Sequence, residues 1–219
     1  MKLGAVLFDF DGVIVDTEPI YDRLTRELLA ELGVHPPARL FDRLRGLRAA
    51  EEWRLVAAEL SLGESVAELE CRAEERRRIA LLTGPPPPEV PGARRLVEEL
   101  TSGGIPVAVV SSSPTDRVRR MLERLGLDRS VTVVVGGDAV LRGKPDPDGY
   151  LAAAAELGVP PANCVVIEDS ERGIDAGLSA GAVCVQVTSG APHPGAALAI
   201  GDLTALSAGD LLELVTCRK

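Results

Sequence analysis

The sequence predicts an α/β protein, a doubly wound parallel sheet with a small all-helical domain inserted after its first strand. Three observations carry this. From residue 93 to residue 187, short apolar runs alternate regularly with amphipathic stretches, the pattern of a parallel sheet covered on both faces. One further apolar run, GAVLFD at 4–9, stands apart near the start of the chain. Between the two, residues 15–83 show helical spacing and no convincing strand. At 219 residues the chain is long enough for one full core and a small accessory domain, and too short for two large ones.

In chain order, residues 4–9 read as a short buried strand. Apolar residues then recur at helical spacing in IYDRLTRELLAEL and AAEEWRLVAAEL, and residues 65–82 are charged and helical in character. GPPPPEVPG at 84–92 can be neither helix nor central strand and reads as a stiff linker. Helices are expected at 93–102, 115–126, 146–158, 172–181 and 203–215, and strands at 105–111, 131–136, 163–169 and 182–187. The tail after Val187, SGAPHPGAALAI, reads as loop. These boundaries give a core of residues 1–14 and 86–219 and a helical insert of residues 15–85.

Composition narrows the function. The net charge is −9 and no Lys/Arg block forms a stripe, so no nucleic-acid footprint is present. No stretch approaches a membrane span, and the apolar run near the N-terminus is too short for a signal h-region. A cytoplasmic location is expected. Cys71, Cys164, Cys184 and Cys217 show no zinc spacing, and His35 and His193 are the only histidines, which disfavours a histidine-based triad or zinc site. Of three lysines, Lys2 and Lys219 are terminal, which singles out Lys144.

Ligands in such sheets bind outside the carboxyl ends of the strands. Asp9 ends the first strand, with Asp11 two residues on and Gly12 next, where the backbone can turn sharply and approach a ligand. Strand alternation would point Asp9 and Asp11 to one side. Ser111 ends the second strand before a helix start, an anion-binding arrangement, while Ser113 and Pro114 suit an N-cap followed by a first helical residue. Glu168 and Asp169 end another strand, where Asp169 or Ser170 also suits an N-cap. Lys144 lies in a loop before the next helix. Carboxylates gathered opposite Asp9 would repel one another without a cation, and hard oxygen donors suit magnesium.

Taken in order, DFDGVIVDTE, Ser111, Lys144–Pro145 and Glu168–Asp169 resemble the four motifs of the haloacid dehalogenase superfamily of phosphotransferases, over residues 5 to about 187. The resemblance implies a Rossmann-like catalytic core, with the insert as its small α-helical cap. It implies Asp9 as nucleophile, Asp11 as general acid and then base, and Ser111, Ser112, Lys144 and Gly12 around the phosphoryl group. It implies a Mg²⁺ site of Asp9, the Asp11 backbone carbonyl and Asp169, with Glu168 a ligand or a partner of one.

Departures from the family patterns choose a branch. Asp11 occupies a position where the dehalogenases lack an acid. The insert holds no lysine, unlike the phosphonate-cleaving relatives, and no DKTGT-like motif is present. Similarity over the whole length is greatest to β-phosphoglucomutases. However, Ile20–Tyr21 stands where these carry histidine, and the arginine expected after Gly46 is displaced to Arg48. The expectation is therefore a phosphatase acting on a small phosphorylated metabolite, a sugar phosphate in this branch, with Arg45, Gly46 and Arg48 reading the substrate. The alternative is an intramolecular phosphotransferase, and a non-catalytic binder on the same fold ranks below both. No nucleic-acid or membrane partner is expected, and the chain is expected to act as a monomer or weak homo-oligomer.

Overall fold

In a computed structural model that describes residues 2–44, 47 and 49–216, the chain divides into two units, Met1–Asp16 with Pro88–Lys219, and Thr17–Pro87. The first unit is the α/β body. Its strands are β1 (Ala5–Phe8), β2 (Val107–Val110), β3 (Val133–Val135), β4 (Cys164–Glu168), β5 (Val183–Val187) and β6 (Leu198–Ile200). They form one sheet in the order β3-β2-β1-β4-β5-β6, with every neighbouring pair parallel. Register pairs Phe8 with Val109 on one side and with Ile167 on the other, so the ends of β1, β2 and β4 come out side by side. Here the chain's progress reverses direction across the sheet, the switch point at which α/β sheets open a crevice.

All residues of β1, β2, β4 and β5 are buried, which is why they read as unbroken apolar runs. One face packs Leu7, Ala108, Val110 and Val166 against Tyr150, Ala153, Ala154 and Ile174 of the helices at 148–156 and 171–179.

Two elements differ from expectation. Residues 198–200, the end of the tail expected as loop, form β6, paired with β5 as Val185↔Leu198 and Val187↔Ile200. Two half-buried residues flanking an exposed one, behind a Gly/Pro-rich stretch, are too few to carry a readable periodicity. The last helix was expected from 203 but runs Ala208–Thr216. The guanidinium of Arg95 takes the carbonyls of Leu203 (2.9 Å), Thr204 (3.3 Å) and Leu206 (2.5 Å), groups a helix would have used itself. Ser207 and Asp210 then cap reciprocally, Ser207 N donating to Asp210 Oδ2 at 2.8 Å and Asp210 N to Ser207 Oγ at 3.2 Å.

The proline linker ends in pairing rather than free chain. Val15 bridges Glu89, Asp16 N donates to Pro88 O (2.9 Å) and Val90 N to Ile14 O (3.0 Å).

The second unit is helical: α1 (Glu18–Glu31), α2 (Ala38–Leu44), α3 (Ala49–Leu60) and α4 (Val66–Thr83). Leu28, Leu29, Leu40, Phe41, Trp53, Val56 and Leu69 form its core. α4 begins with a capping box between Ser65 and Glu68. Glu52 and Arg77 form a buried ion pair (2.5 Å), and Arg77 lies over the Tyr21 ring at 4.7 Å. Among the described residues no helix is long and apolar enough to cross a membrane.

Candidate active site

β1 delivers Asp9 directly. Its backbone N still donates to Ile167 O (2.9 Å), so the ladder with β4 fixes its place, and its carboxyl is buried. Asp11 lies past the strand, in a turn where Asp11 bridges Val15 and Gly12 N donates to Val15 O (2.7 Å). The turn, not strand alternation, therefore places the Asp11 side chain. Gly12 has φ +88°, and a Cβ there would collide with the carboxylate of Asp169, so glycine is required by both backbone and neighbour.

The second strand delivers Ser111, whose backbone N donates to Val135 O (3.0 Å). Its hydroxyl donates to Asp11 Oδ2 at 3.3 Å and accepts from Ser113 N at 3.0 Å. Ser112, half-buried, continues the same loop. Ser113 does not cap the helix that follows at Thr115–Leu125 (α6, the next after α5 at Ala93–Ser102). Asp138 accepts from Thr115 N (2.8 Å) and Thr115 Oγ1 (2.7 Å) instead.

Lys144 reaches the same place from the loop before the Asp148–Glu156 helix (α7), through a cis Lys144–Pro145 peptide. Its buried ammonium donates to Asp9 Oδ1, to Glu168 Oε1 and to Val110 O (3.2 Å). The loop is braced. Arg172 donates to Lys144 O (2.7 Å), and Arg142 pairs with Asp146 (3.1 Å) and Asp148 (2.7 Å).

Glu168 and Asp169 do different things. Glu168, the last residue of β4, is fully buried. Its Oε1 accepts from Lys144 and from the Tyr150 hydroxyl (2.8 Å). Its Oε2 accepts from Asp169 N, Ser170 N (both 3.1 Å) and Ser170 Oγ (3.0 Å). A Cβ at Gly173 would occupy the space of the Glu168 carboxylate. Ser170 caps the Glu171–Ser179 helix (α8), accepting from Gly173 N at 3.1 Å. Asp169 is half-buried and faces Gly12, with its carbonyl accepting from Gln186 Nε2 (3.4 Å).

Four carboxylates, Asp9, Asp11, Glu168 and Asp169, thus gather around one ammonium. Burial pushes the Asp9 carboxyl up to about 8 against the pull of Lys144, with Glu168 and Asp11 adding repulsion. Burial also opposes ionisation of Glu168, but Lys144 and the hydrogen bonds from Tyr150 and Ser170 win and hold it below the usual carboxylate range. Lys144 is held above its ordinary value, because Asp9 and Glu168 outweigh its burial. Asp9, Glu168 and Asp169 each place a carboxylate oxygen within 4.8 Å of the others, and all-oxygen donors of this kind suit a hard dication. The residues present therefore fit a divalent metal.

The predicted residues Asp9, Asp11, Ser111, Lys144, Glu168 and Asp169 all meet at this sheet edge. Arg45, Gly46 and Arg48 lie outside the described residues. Sequence reasoning missed Tyr150, Ser113, Arg172 and Gln186. Tyr150 alone left a trace, as one of two tyrosines and one helical turn into the segment after Lys144.

Residues 3–181 match the family described as haloacid dehalogenase-like hydrolase. The chain is 36% identical to a phosphorylated carbohydrates phosphatase of Thermotoga maritima, over 82% of each chain. It is 33% identical to the β-phosphoglucomutase of Bacillus subtilis, over 92% of each. The solved β-phosphoglucomutase of Clostridium difficile superposes with a TM-score of 0.86 at 26% identity, over 98% of this chain and 97% of that one.

Proposed function

This chain belongs to the haloacid dehalogenase-like hydrolases, and within that family we propose that it is a Mg²⁺-dependent phosphatase of a phosphorylated carbohydrate, working through an aspartyl-phosphate on Asp9. The observation that carries this reading is the pairing of Asp9, held against a buried lysine, with a second carboxylate, Asp11, held by serine hydroxyls beside it. One carboxylate is set to attack and the other to move a proton. The similarity to the Thermotoga phosphatase supports the substrate class.

Asp9 attacks phosphorus, forming the Asp9 Oδ–P bond as the ester P–O bond breaks. Asp11 gives its proton to the departing alcohol oxygen. Lys144 and Ser111 hold the phosphoryl oxygens, with Ser112 and Gly12 beside them on the loops after β2 and β1. Asp11 then takes a proton from the water that attacks phosphorus, Asp9 leaves, and inorganic phosphate is released. Asp9, Asp169 and the Asp11 carbonyl would hold the metal, which offsets the charge between nucleophile and phosphate. Glu168 orients more than it coordinates, because its two oxygens already accept five hydrogen bonds, about the capacity of a carboxylate.

The helical unit supplies substrate selectivity in this reading, with Arg45, Gly46 and Arg48 as its candidates. The enzyme acts in the cytoplasm as a monomer or weak homo-oligomer, without nucleic acid. The test is phosphate release from a panel of sugar phosphates with and without Mg²⁺, alongside Asp9→Asn. Release that needs Mg²⁺ and vanishes in Asp9→Asn is expected. Turnover surviving in Asp9→Asn would refute the mechanism. Isomerised sugar phosphate with little free phosphate, read by ³¹P NMR, would favour the phosphotransferase reading that the Bacillus relative suggests.

A further inference from the structure

Ser113 is the one serine of the S-S-S-P run whose local signal and actual contacts disagree. By sequence it is an N-cap, yet Asp138 serves that helix end from 23 residues away. The backbone of Ser113 is held on both sides instead, its N donating to Ser111 Oγ (3.0 Å) and its O accepting from Gly137 N (2.9 Å). So anchored, its hydroxyl donates to Asp11 Oδ2 at 3.2 Å, the same oxygen that accepts the Ser111 hydroxyl.

The two serines are not equivalent. Ser111 Oγ already accepts from Ser113 N, and the proposed function calls its proton to a phosphoryl oxygen once substrate is bound. Ser113 has no such second duty among its hydrogen bonds. A hydroxyl also rotates, so it can donate to a carboxylate and accept from a carboxylic acid. Asp11 must pass through both forms in each turnover.

We propose that Ser113 is a positioning residue for Asp11, keeping the general acid/base aimed in both its protonated and its ionised form. The proposal rests on the reading of Asp11 as general acid. In the first step the Asp11 proton goes to the leaving oxygen as the Asp9–P bond forms and the ester bond breaks. Ser113 itself gains and loses nothing.

Leaving groups separate the possibilities. p-Nitrophenolate departs without needing a proton, whereas phenolate is a far poorer leaving group and gains from general acid catalysis. The measurement is kcat/KM, which reports enzyme phosphorylation, for p-nitrophenyl phosphate and phenyl phosphate with saturating Mg²⁺. Ser113→Ala is expected to lower kcat/KM roughly tenfold on phenyl phosphate and less than about twofold on p-nitrophenyl phosphate, the loss of one hydrogen bond. Ser113→Thr, which keeps the hydroxyl, is expected to restore the ratio, and Ser113→Val, of the same size without it, is not. A fold defect lowers both substrates alike. An equal fall on both, no fall on either, or a normal ratio in Ser113→Val overturns the proposal. Asp11→Asn, run beside these, is expected to show the same leaving-group dependence at about 10²–10⁴-fold. Its absence there would overturn the reading of Asp11 itself, whereas its presence there without any effect at Ser113 would overturn the Ser113 proposal alone.

Discussion

Binding Mg²⁺ to this site should release a proton, and the proton should come from Asp9. The metal-free Asp9 carboxyl is pushed up to about 8, first by burial and then by Glu168 and Asp11, with Lys144 pulling the other way. A ligand carboxylate must be ionised, so the metal displaces whatever proton is there. At pH 6.5 the carboxyl would be almost wholly protonated, and about one proton should leave per ion. At pH 9 about 0.1 should leave. Apparent affinity should rise by up to about tenfold per pH unit below 8 and then level off. Calorimetric titration of Mg²⁺ in two buffers of different ionisation heat counts the protons. The sign carries over to stability. The folded metal-free chain holds a proton on Asp9 that the unfolded chain has released above about pH 4, so the Asp9 contribution to stability is most favourable below that pH and declines as pH rises toward 8. Asp9→Asn should abolish both effects. Near-zero proton release at pH 6.5, or release unchanged in Asp9→Asn, would mean that Lys144 outweighs burial and that Asp9 is already ionised.

The division of labour between adjacent carboxylates is testable by calorimetry as well. Asp169→Asn should weaken Mg²⁺ binding at least about tenfold more than Glu168→Gln, whereas Glu168→Gln should act mainly on kcat by loosening Lys144. The reverse order of affinities would make Glu168 a direct ligand. In the helical unit, Arg77→Leu leaves Glu52 buried without its guanidinium and should cost about 3–5 kcal/mol in urea unfolding. The double change Glu52→Leu with Arg77→Leu should recover most of that loss, and no recovery would show that the Arg77 contact with Tyr21 dominates.

The sheet was legible because its central strands are buried on both faces, so AVLF, VAVV, CVVIE and VCVQV appear as plain apolar runs between glycines and turns. The site was legible because strand ends are where such sheets bind ligands, and that rule alone brought Asp9, Ser111, Glu168 and Asp169 together. What escaped depends on partners distant in sequence. β6 exists only because β5 offers it an edge. Ser113 loses its capping role to Asp138, and the stretch before the last helix loses its carbonyls to Arg95. The Ser207–Asp210 capping box was present in the sequence and could have placed that helix start correctly.

The split between Glu168 and Asp169 follows from the same geometry. Glu168 is the last residue of β4 and turns to Lys144 and Tyr150, whereas Asp169, just past the strand, turns to Gly12. This matters for the proposed reaction, because Asp9 changes charge in every cycle. As an aspartyl-phosphate its attacking oxygen no longer carries the charge that pairs with Lys144. Without Glu168 the anionic partner of this buried ammonium would pass from the Asp9 carboxylate to the phosphoryl oxygens and back in every cycle, in a site already costly for charge. Glu168, held below the usual carboxylate range and saturated with hydrogen bonds, keeps one negative charge against Lys144 throughout. The lysine can then serve phosphoryl oxygens in both half-reactions without losing its proton or its place. Under this argument Glu168→Gln should slow both half-reactions, whereas loss of Asp11 should slow phosphorylation most for poor leaving groups. A Glu168→Gln enzyme slowed in only one half-reaction would break the argument.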